Sequence, residues 1–181
     1  MSVVVDDPVA TTDEFEIQLL DSHHDRPAFD CGVESLTNYL HRSARQDMER
    51  RASIAYVLVP VQTPTRIAGY YTLSNTSVLL TDLPRSLAKK LPRYPALPAT
   101  LLGRLAVNVA DRGQRLGERL LVDALARSAD VSTKVASVAV IVDALDDRAA
   151  KFYQRYGFQP FADSPLRVFF PMKDVKACFG P

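Results

Sequence analysis

The 181-residue sequence predicts a single mixed α/β domain, and three observations point there. Short segments rich in β-branched and aromatic residues alternate or run apolar, as strands do, while others repeat apolar residues near 3.6 spacing, as helices do. The two kinds interleave along the chain, which is the pattern of a sheet covered by helices. Val135–Val142 is apolar almost without a break, as expected for a central strand buried on both faces.

Glu16–Leu20 reads as the first strand. Val33, Leu36, Leu40, Ala44 and Met48 then recur at helical spacing, with Asp30 placed as an N-cap. Ser53–Val61 and Arg66–Leu80 read as two strands parted by the Pro60/Pro64 turn, and Pro84, Pro92, Pro95 and Pro98 punctuate the loop that follows. Leu101–Val109 is the next strand, leading into a helix that buries Leu116, Leu120, Leu121, Ala124 and Leu125. After Val135–Val142 comes a helix with an apolar stripe, Ala149, Phe152, Tyr153 and Tyr156, capped by Gly157. A strand near Arg167–Met172 closes the domain. Residues 1–14 read as a flexible tail and 15–181 as one domain, with no internal repeat or low-complexity tract.

Composition narrows the class. Hydrophobic content of 47% and charged content of 24% are those of an ordinary soluble globular chain large enough for a core. No run approaches the roughly eighteen apolar residues of a membrane span. The start of the chain, with Asp6, Asp7, Asp13 and Glu14, lacks the basic and apolar regions of a secretion signal, so a cytoplasmic location is expected. A net charge of +1 gives no global attraction to a polyanion, and only local clusters could steer one. Arg85, Lys89, Lys90 and Arg93 form one such cluster without an intervening acid. Arg42, Arg45, Arg50 and Arg51 form another, diluted by Asp47 and Glu49. A solvated surface is the plainer reading of both.

Cys31 and Cys178 have no Cys-x-x-Cys spacing, which argues against zinc and redox motifs. Cys31 reads as a small buried residue before a helix; a nucleophile beside His23, His24 or His41 is the reactive alternative. The histidines lack ligand spacing, so no metal is expected.

Leu101–Leu121 is the segment richest in chemistry. A strand runs into an Arg/Gly-rich turn that opens directly into an amphipathic helix. The first amides of a helix have no partner within it, and the macrodipole adds about half a positive charge at the same place. Arg112 and Arg115 add full charges, and Gly113 and Gly117 allow close approach to the main chain. No Lys follows Gly117, which excludes a Walker loop, and two glycines four residues apart do not make a dinucleotide fingerprint. A plain strand–turn–helix junction would share the local pattern.

Arg112–Gly117 resembles the pyrophosphate loop of the GNAT acyltransferases, Gln/Arg-x-x-Gly-x-Gly/Ala, with Arg115 in place of the middle glycine. Asp146–Phe158 resembles the family's Asn-x-x-Ala-x-x-Phe-Tyr-x-x-x-Gly-Phe, matching at Ala149, Phe152, Tyr153, Gly157 and Phe158, with Asp146 for Asn. Phe29-Asp30-Cys31-Gly32, the arginine-bearing helix, Ile67–Ser74 and Leu102–Val107 together resemble the GNAT toxins of type II toxin–antitoxin systems. The likeness runs from about Phe29 to Phe158.

The resemblance implies a mixed central sheet with a splayed parallel strand pair flanked by helices, and acetyl-CoA as cosubstrate. It assigns Leu105, Ala106 and Val107 to the pantetheine arm. The pyrophosphate falls to Arg112, Gly113, Gln114, Arg115, Leu116, Gly117 and Glu118, and the general acid to Tyr153. Negative φ is expected at Arg115, so that its amide and guanidinium both face phosphate; Asp146 lacks the amide donor of Asn. Aminoacyl-tRNA is the implied acceptor, with Arg85, Lys89, Lys90, Arg93, Arg42 and Arg45 on the acceptor side. A toxin of this kind implies a ribbon-helix-helix antitoxin as partner and allows a homodimer, with no membrane. Acetylation of a small amine or protein N-terminus, or a silent acyl-CoA-binding regulator, are the alternatives.

Overall fold

The computed structural model describes residues 14–180; the segment read as a tail lies, but for Glu14, outside the described residues. Seven strands form one sheet in the order β1-β2-β3-β4-β5-β7-β6. They are β1 Phe15–Leu19, β2 Ile54–Pro60, β3 Gly69–Leu79, β4 Ala96–Val107, β5 Ala139–Asp143, β6 Gln159–Phe161 and β7 Ser164–Pro171. Neighbours run antiparallel except β4 and β5, which are parallel. A parallel pair needs a crossover, and the helix α4, Leu116–Val131, supplies it.

Helices cover both faces. One face carries α1 (Glu34–Asn38), a π-helical turn at Tyr39–Ser43 and α2 (Ala44–Glu49), over a core that includes Phe29, Leu40, Tyr70 and Ala106. The other carries α4, α5 (Asp147–Arg155) and α6 (Met172–Phe179), over Tyr71, Leu120, Val140, Tyr153 and Phe170. Period-2 alternation divides the strand residues: Tyr70 packs into the first layer and Tyr71 into the second, and both are fully buried. Their hydroxyls are satisfied, Tyr70 donating to the Leu36 carbonyl at 2.7 Å and Tyr71 to the Asp123 carboxylate. The short helix α3, Arg85–Ala88, precedes β4.

Several boundaries differ from the sequence expectation, each for a physical reason. Asp30 is not an N-cap. Gly32, at φ +76°, turns the chain so that α1 starts only after Val33, and Asp30 Oδ1 accepts instead from the Gly32 amide at 2.8 Å. The predicted single helix is interrupted by its π-helical turn, where Arg26 Nη1 donates to the His41 carbonyl at 2.9 Å. β4 begins at Ala96, inside the proline-rich stretch, because Pro98 needs no amide there: its carbonyl accepts from Val138 N at 2.9 Å. β5 begins at Ala139 rather than Val135, which is 60% exposed in the turn after α4. Of the predicted stripe on α5, Tyr153 is buried while Ala149, Phe152 and Tyr156 are half-buried; Ala150 fills the core position beside Tyr153. The three-residue β6 and the helix α6 had no sequence expectation.

Arg66 lies before β3, not in it. It forms a two-pronged pair with the buried Asp111, Nη1–Oδ2 2.6 Å and Nη2–Oδ1 2.8 Å, which fixes the turn after β4. Asp111→Asn removes the charge and one acceptor while keeping the shape. We expect a loss of about 1–3 kcal/mol in denaturant unfolding, reduced from a fully buried pair because Arg66 is part-exposed.

Candidate active site

The site begins with a fault in the sheet. Along β3 and β4 the register slips by one residue: Thr72 faces Arg104 and Leu73 faces Leu102, leaving Gly103 as a bulge. A Cβ at Gly103 would lie 3.1 Å from Thr72 Oγ1, so the bulge is tight enough to favour glycine. Just there β4 leaves β5. Their ladder pairs Thr100 with Val140 and Leu101 with Ile141, then stops. From Leu102 to Val107 the β4 edge therefore has no strand partner on the β5 side.

The gap opens a cleft of about 400 Å³. Gly103, Arg104 and Leu105 line it from β4, Val142–Asp146 from the end of β5 and the loop beyond, and Phe152 and Tyr153 from α5. Tyr153 is 6% exposed, set edge-on against Phe152 and Phe158. Its hydroxyl has no hydrogen-bond partner among the described residues, and burial pushes the phenol well above its ordinary value near 10. Across the neutral range it is therefore a protonated donor with a free O–H.

Beyond the cleft lies the turn before α4. The amides of Gly113, Gln114 and Arg115 meet no acceptor among the described residues, and the first amides of α4 follow them. Gly113 is at φ +84° with open space around it. A Cβ on Gly117 would meet Phe152 and Val107 no closer than 3.7 Å, so protein packing alone does not demand glycine there. What the missing Cβ leaves open is the cleft side.

Comparison with known proteins fits this geometry. Residues 85–160 match the acetyltransferase (GNAT) domain model. The chain is 27% identical over 166 residues to the probable toxin TacT of Sinorhizobium fredii, covering 88% of this chain and 91% of that one. It is 32% identical over 156 residues to a tRNA-acetylating toxin of Mycobacterium tuberculosis, covering 86% and 91%. The chain belongs to the GNAT tRNA-acetylating toxins. Among solved structures, AtaT complexed with acetyl-methionyl-tRNAfMet superposes with a TM-score of 0.85 at 30% identity, covering 92% of this chain and 100% of that one. A tyrosine-to-phenylalanine variant of AtaT, bound to acetyl-CoA and the C-terminus of the antitoxin AtaR, gives 0.79 at 28%, covering 93% and 100%. The KacTA–DNA complex gives 0.73 at 28%, covering 92% and 98%.

Of the cofactor residues predicted for this GNAT chain, Leu105 and Gly117 line the cleft, whereas Arg115 and Glu118 border a separate hollow beside Phe15–Ile17, and several side chains are engaged differently than expected. Arg115 does not take negative φ. It sits at φ 57°, ψ 25° as the N-cap of α4, the left-handed conformation that the family's glycine adopts freely. Its exposed guanidinium is paired with Glu118 at 2.7 Å, which cancels much of its charge. Arg112 Nη2 donates to the Cys31 carbonyl at 2.8 Å. The Val109 amide also donates to the Asp30 carbonyl at 2.8 Å, so the Phe29–Gly32 segment is bound to the turn after β4. Leu116 is buried and offers only its amide, whereas Gln114 is exposed. Leu105 lines the cleft; Ala106 points its side chain into the opposite core, and Val107 packs on the Tyr71 layer, leaving these two their main chain. Asp146 caps α5, Oδ1 accepting from Ala149 N at 2.8 Å, as Asn would.

Arg85, Lys89, Lys90 and Arg93 are all exposed and outside ion pairs among the described residues. They lead into the start of β4, seven residues and about 23 Å of strand before Gly103. Arg42 lies on the π-helical turn, and Arg45 is paired with Glu49 at 3.5 Å. Neither cluster lines the cleft. Cys31 is buried with Sγ against the Val33 carbonyl and Thr37 Oγ1, and His41 Nε2 is engaged by the Phe29 carbonyl, so no histidine contacts the thiol among the described residues. Among the described residues no cluster of His, Cys, Asp and Glu could hold a metal.

Sequence reasoning missed Arg104. Its guanidinium carbon lies over the Tyr39 ring, 3.4 Å from the centroid, at the α1 side of the cleft. A single cation inside an otherwise apolar strand was the available signal. It also missed the loop 143–145, whose only signature is its place after a buried strand.

The backbone strain at Arg115 has a direct test. Arg115→Gly and Arg115→Ala both remove the Glu118 pair and differ in the left-handed penalty. The glycine variant should unfold about 1 kcal/mol later than the alanine variant in thermal or urea melts.

Proposed function

We propose that this chain is the toxin of a type II toxin–antitoxin pair, which moves the acetyl group of acetyl-CoA onto the amino group of aminoacyl-tRNA and so blocks translation. The observation that carries the mechanism is the unpartnered, protonated Tyr153 hydroxyl in a cleft bounded by a strand edge without a partner. Acetyl-CoA supplies an activated acyl group as a thioester. The β4 edge offers main-chain groups to an extended pantetheine arm, in the manner of an added strand. The amides before α4 take the pyrophosphate, helped by the helix dipole.

Tyr153 then has one task. When the amine attacks the carbonyl carbon, a C–N bond forms, the C–S bond breaks and the sulfur leaves with its electron pair; Tyr153 Oη gives that sulfur its proton, and the proton released by the acylated nitrogen passes through solvent to restore the phenol. Its apolar surroundings keep the proton in place until then. The amine of an aminoacyl ester is less basic than a lysine side chain, so a substantial neutral fraction exists near pH 7 and no strong base is required. Arg104, Val33 and Leu36 border the cleft on the α1 side, where the acceptor enters.

The partner is a ribbon-helix-helix antitoxin whose tail wraps the toxin. AtaR bound through its C-terminus and KacTA on DNA support that reading. A chain acting on charged tRNA works in the cytoplasm, in keeping with the absence, among the described residues, of any helix long and apolar enough to cross a membrane.

Tyr153→Phe removes one oxygen and keeps the ring. Transfer to charged tRNA should fall at least about a hundredfold with acetyl-CoA affinity and unfolding nearly unchanged, while Tyr156→Phe stays active. Because burial raises the phenol, the parent rate should not decline through Tyr153 ionisation as pH rises from about 7 to 10. A parent rate in Tyr153→Phe would leave positioning alone as the mechanism. A screen of small amines and peptide N-termini beside charged tRNA tests the acceptor.

The exposed cations between Arg85 and Arg93 are assigned to the acceptor side. Replacing all four by Gln should weaken tRNA binding and flatten its salt dependence, with acetyl-CoA binding intact. Filter binding at several salt concentrations reads both; unchanged tRNA affinity would make this loop a plain solvated surface.

A further inference from the structure

We infer that the outer face of α5, presented by Arg148, Lys151 and Arg155, is the subsite for the ribose 3′-phosphate of acetyl-CoA; this rests on the acetyl-CoA reading above. The cleft does not end at Phe152. Arg148, Phe152 and Arg155 line it and also line a second, open groove on α5 that Lys151 completes. The two hollows thus adjoin on one helix and share three of its residues.

The anion turn borders this face. Gly117, in the first turn of α4, lies against the Phe152 ring, where a Cβ would stand 3.7 Å from the nearest ring carbon. A pyrophosphate on the first amides of α4 would therefore lie next to α5, and the proposal runs its adenosine end along the outer face of that helix while the thioester end reaches Tyr153. In coenzyme A the 3′-phosphate is one ribose away from that pyrophosphate.

The charges on this face are uncommitted. Arg148, Lys151 and Arg155 recur at i, i+3 and i+7, are exposed, and have no carboxylate within ion-pair distance among the described residues. Arg155 also lies 5.8 Å over the Phe152 ring, which holds it toward the cleft. Arg112 and Arg115, in contrast, are already tied to Cys31 and Glu118. Asp147 is the acid lining the groove, and it stands in the first turn of α5, where the helix dipole offsets it. Asp146 is held by its cap bond, and Asp143 by Arg167 at 3.4 Å. A terminal phosphomonoester carries between one and two negative charges at neutral pH and three acceptor oxygens, which suits two arginine forks and a lysine.

The test uses acetyl-CoA and acetyl-3′-dephospho-CoA, which differ in this phosphate alone. By calorimetry the parent toxin should bind acetyl-CoA at least about tenfold more tightly than the dephospho form. Arg148→Gln/Lys151→Gln/Arg155→Gln should bring the two affinities together by weakening acetyl-CoA and sparing the dephospho form. The readout is the ratio of the two affinities, so a general loss of binding does not imitate it. A parent protein indifferent to the phosphate, or a variant that keeps the preference, overturns the proposal. A variant that keeps the preference but loses tRNA binding does so too, and gives the face to the acceptor. Failure of the parent to bind either compound would overturn the acetyl-CoA reading itself, and this proposal with it.

Discussion

Everything at the site depends on β4 being paired on one side only beyond Leu101. A strand in mid-sheet with one unpaired edge is costly unless something replaces its hydrogen bonds, because buried amides and carbonyls need partners. The bulge at Gly103 makes the departure sharp, and a longer than usual β3–β4 ladder, running from Gly69/Val107 to Leu79/Ala96, holds β4 from the other side. With β4 secured there, β5 is free to diverge. The divergence places the helix after β4 on one side of the gap and the helix after β5 on the other. Both border the same opening, the first at Gly117 and the second at Phe152 and Tyr153.

The polar contacts around this opening are mostly scaffolding. Asp111 is held by Arg66, Arg112 by the Cys31 carbonyl and Arg115 by Glu118, so the charges nearest the turn shape it more than they advertise it. Gly32 sits at φ +76°, a conformation that favours glycine, and it lies against the Arg112 guanidinium where the first motif of the chain meets the turn after β4. What the turn leaves without an internal partner, among the described residues, is the main-chain amides of residues 113–115, whose direction is fixed by the fold. The left-handed Arg115 fits this view: the turn keeps the backbone shape that glycine would give and carries the strain locally.

Tyr153 is a packing residue whose ring is committed to the core while it also lines the cleft. Its ring fills the layer under α4 and α5 between Phe152 and Phe158, and the same apolar contacts that fill the core keep its proton on. Tyr70 and Tyr71 are just as buried, but each hydroxyl is spent on an internal acceptor. Tyr153 differs in having its hydroxyl at a cleft instead of at a carbonyl.

The sequence by itself determined the alternation of strands and helices, the strand–turn–helix around Arg112–Gly117 and the Phe152–Tyr153 pair before Gly157. These are local: side-chain periodicity and turn chemistry act within a few residues, and they leave a readable pattern. Only the tertiary structure decided where β4 parts from β5, which conformation Arg115 takes and which arginines are already engaged. The ends of β4 and β5 depend on neighbours such as Pro98 and Val138, which are distant in sequence. Arg112 looks identical in a linear text whether it meets a phosphate or the carbonyl of a residue eighty-one positions earlier. The contact of Gly117 with Phe152, which brings the start of α4 beside α5, is likewise set by packing between segments far apart in sequence.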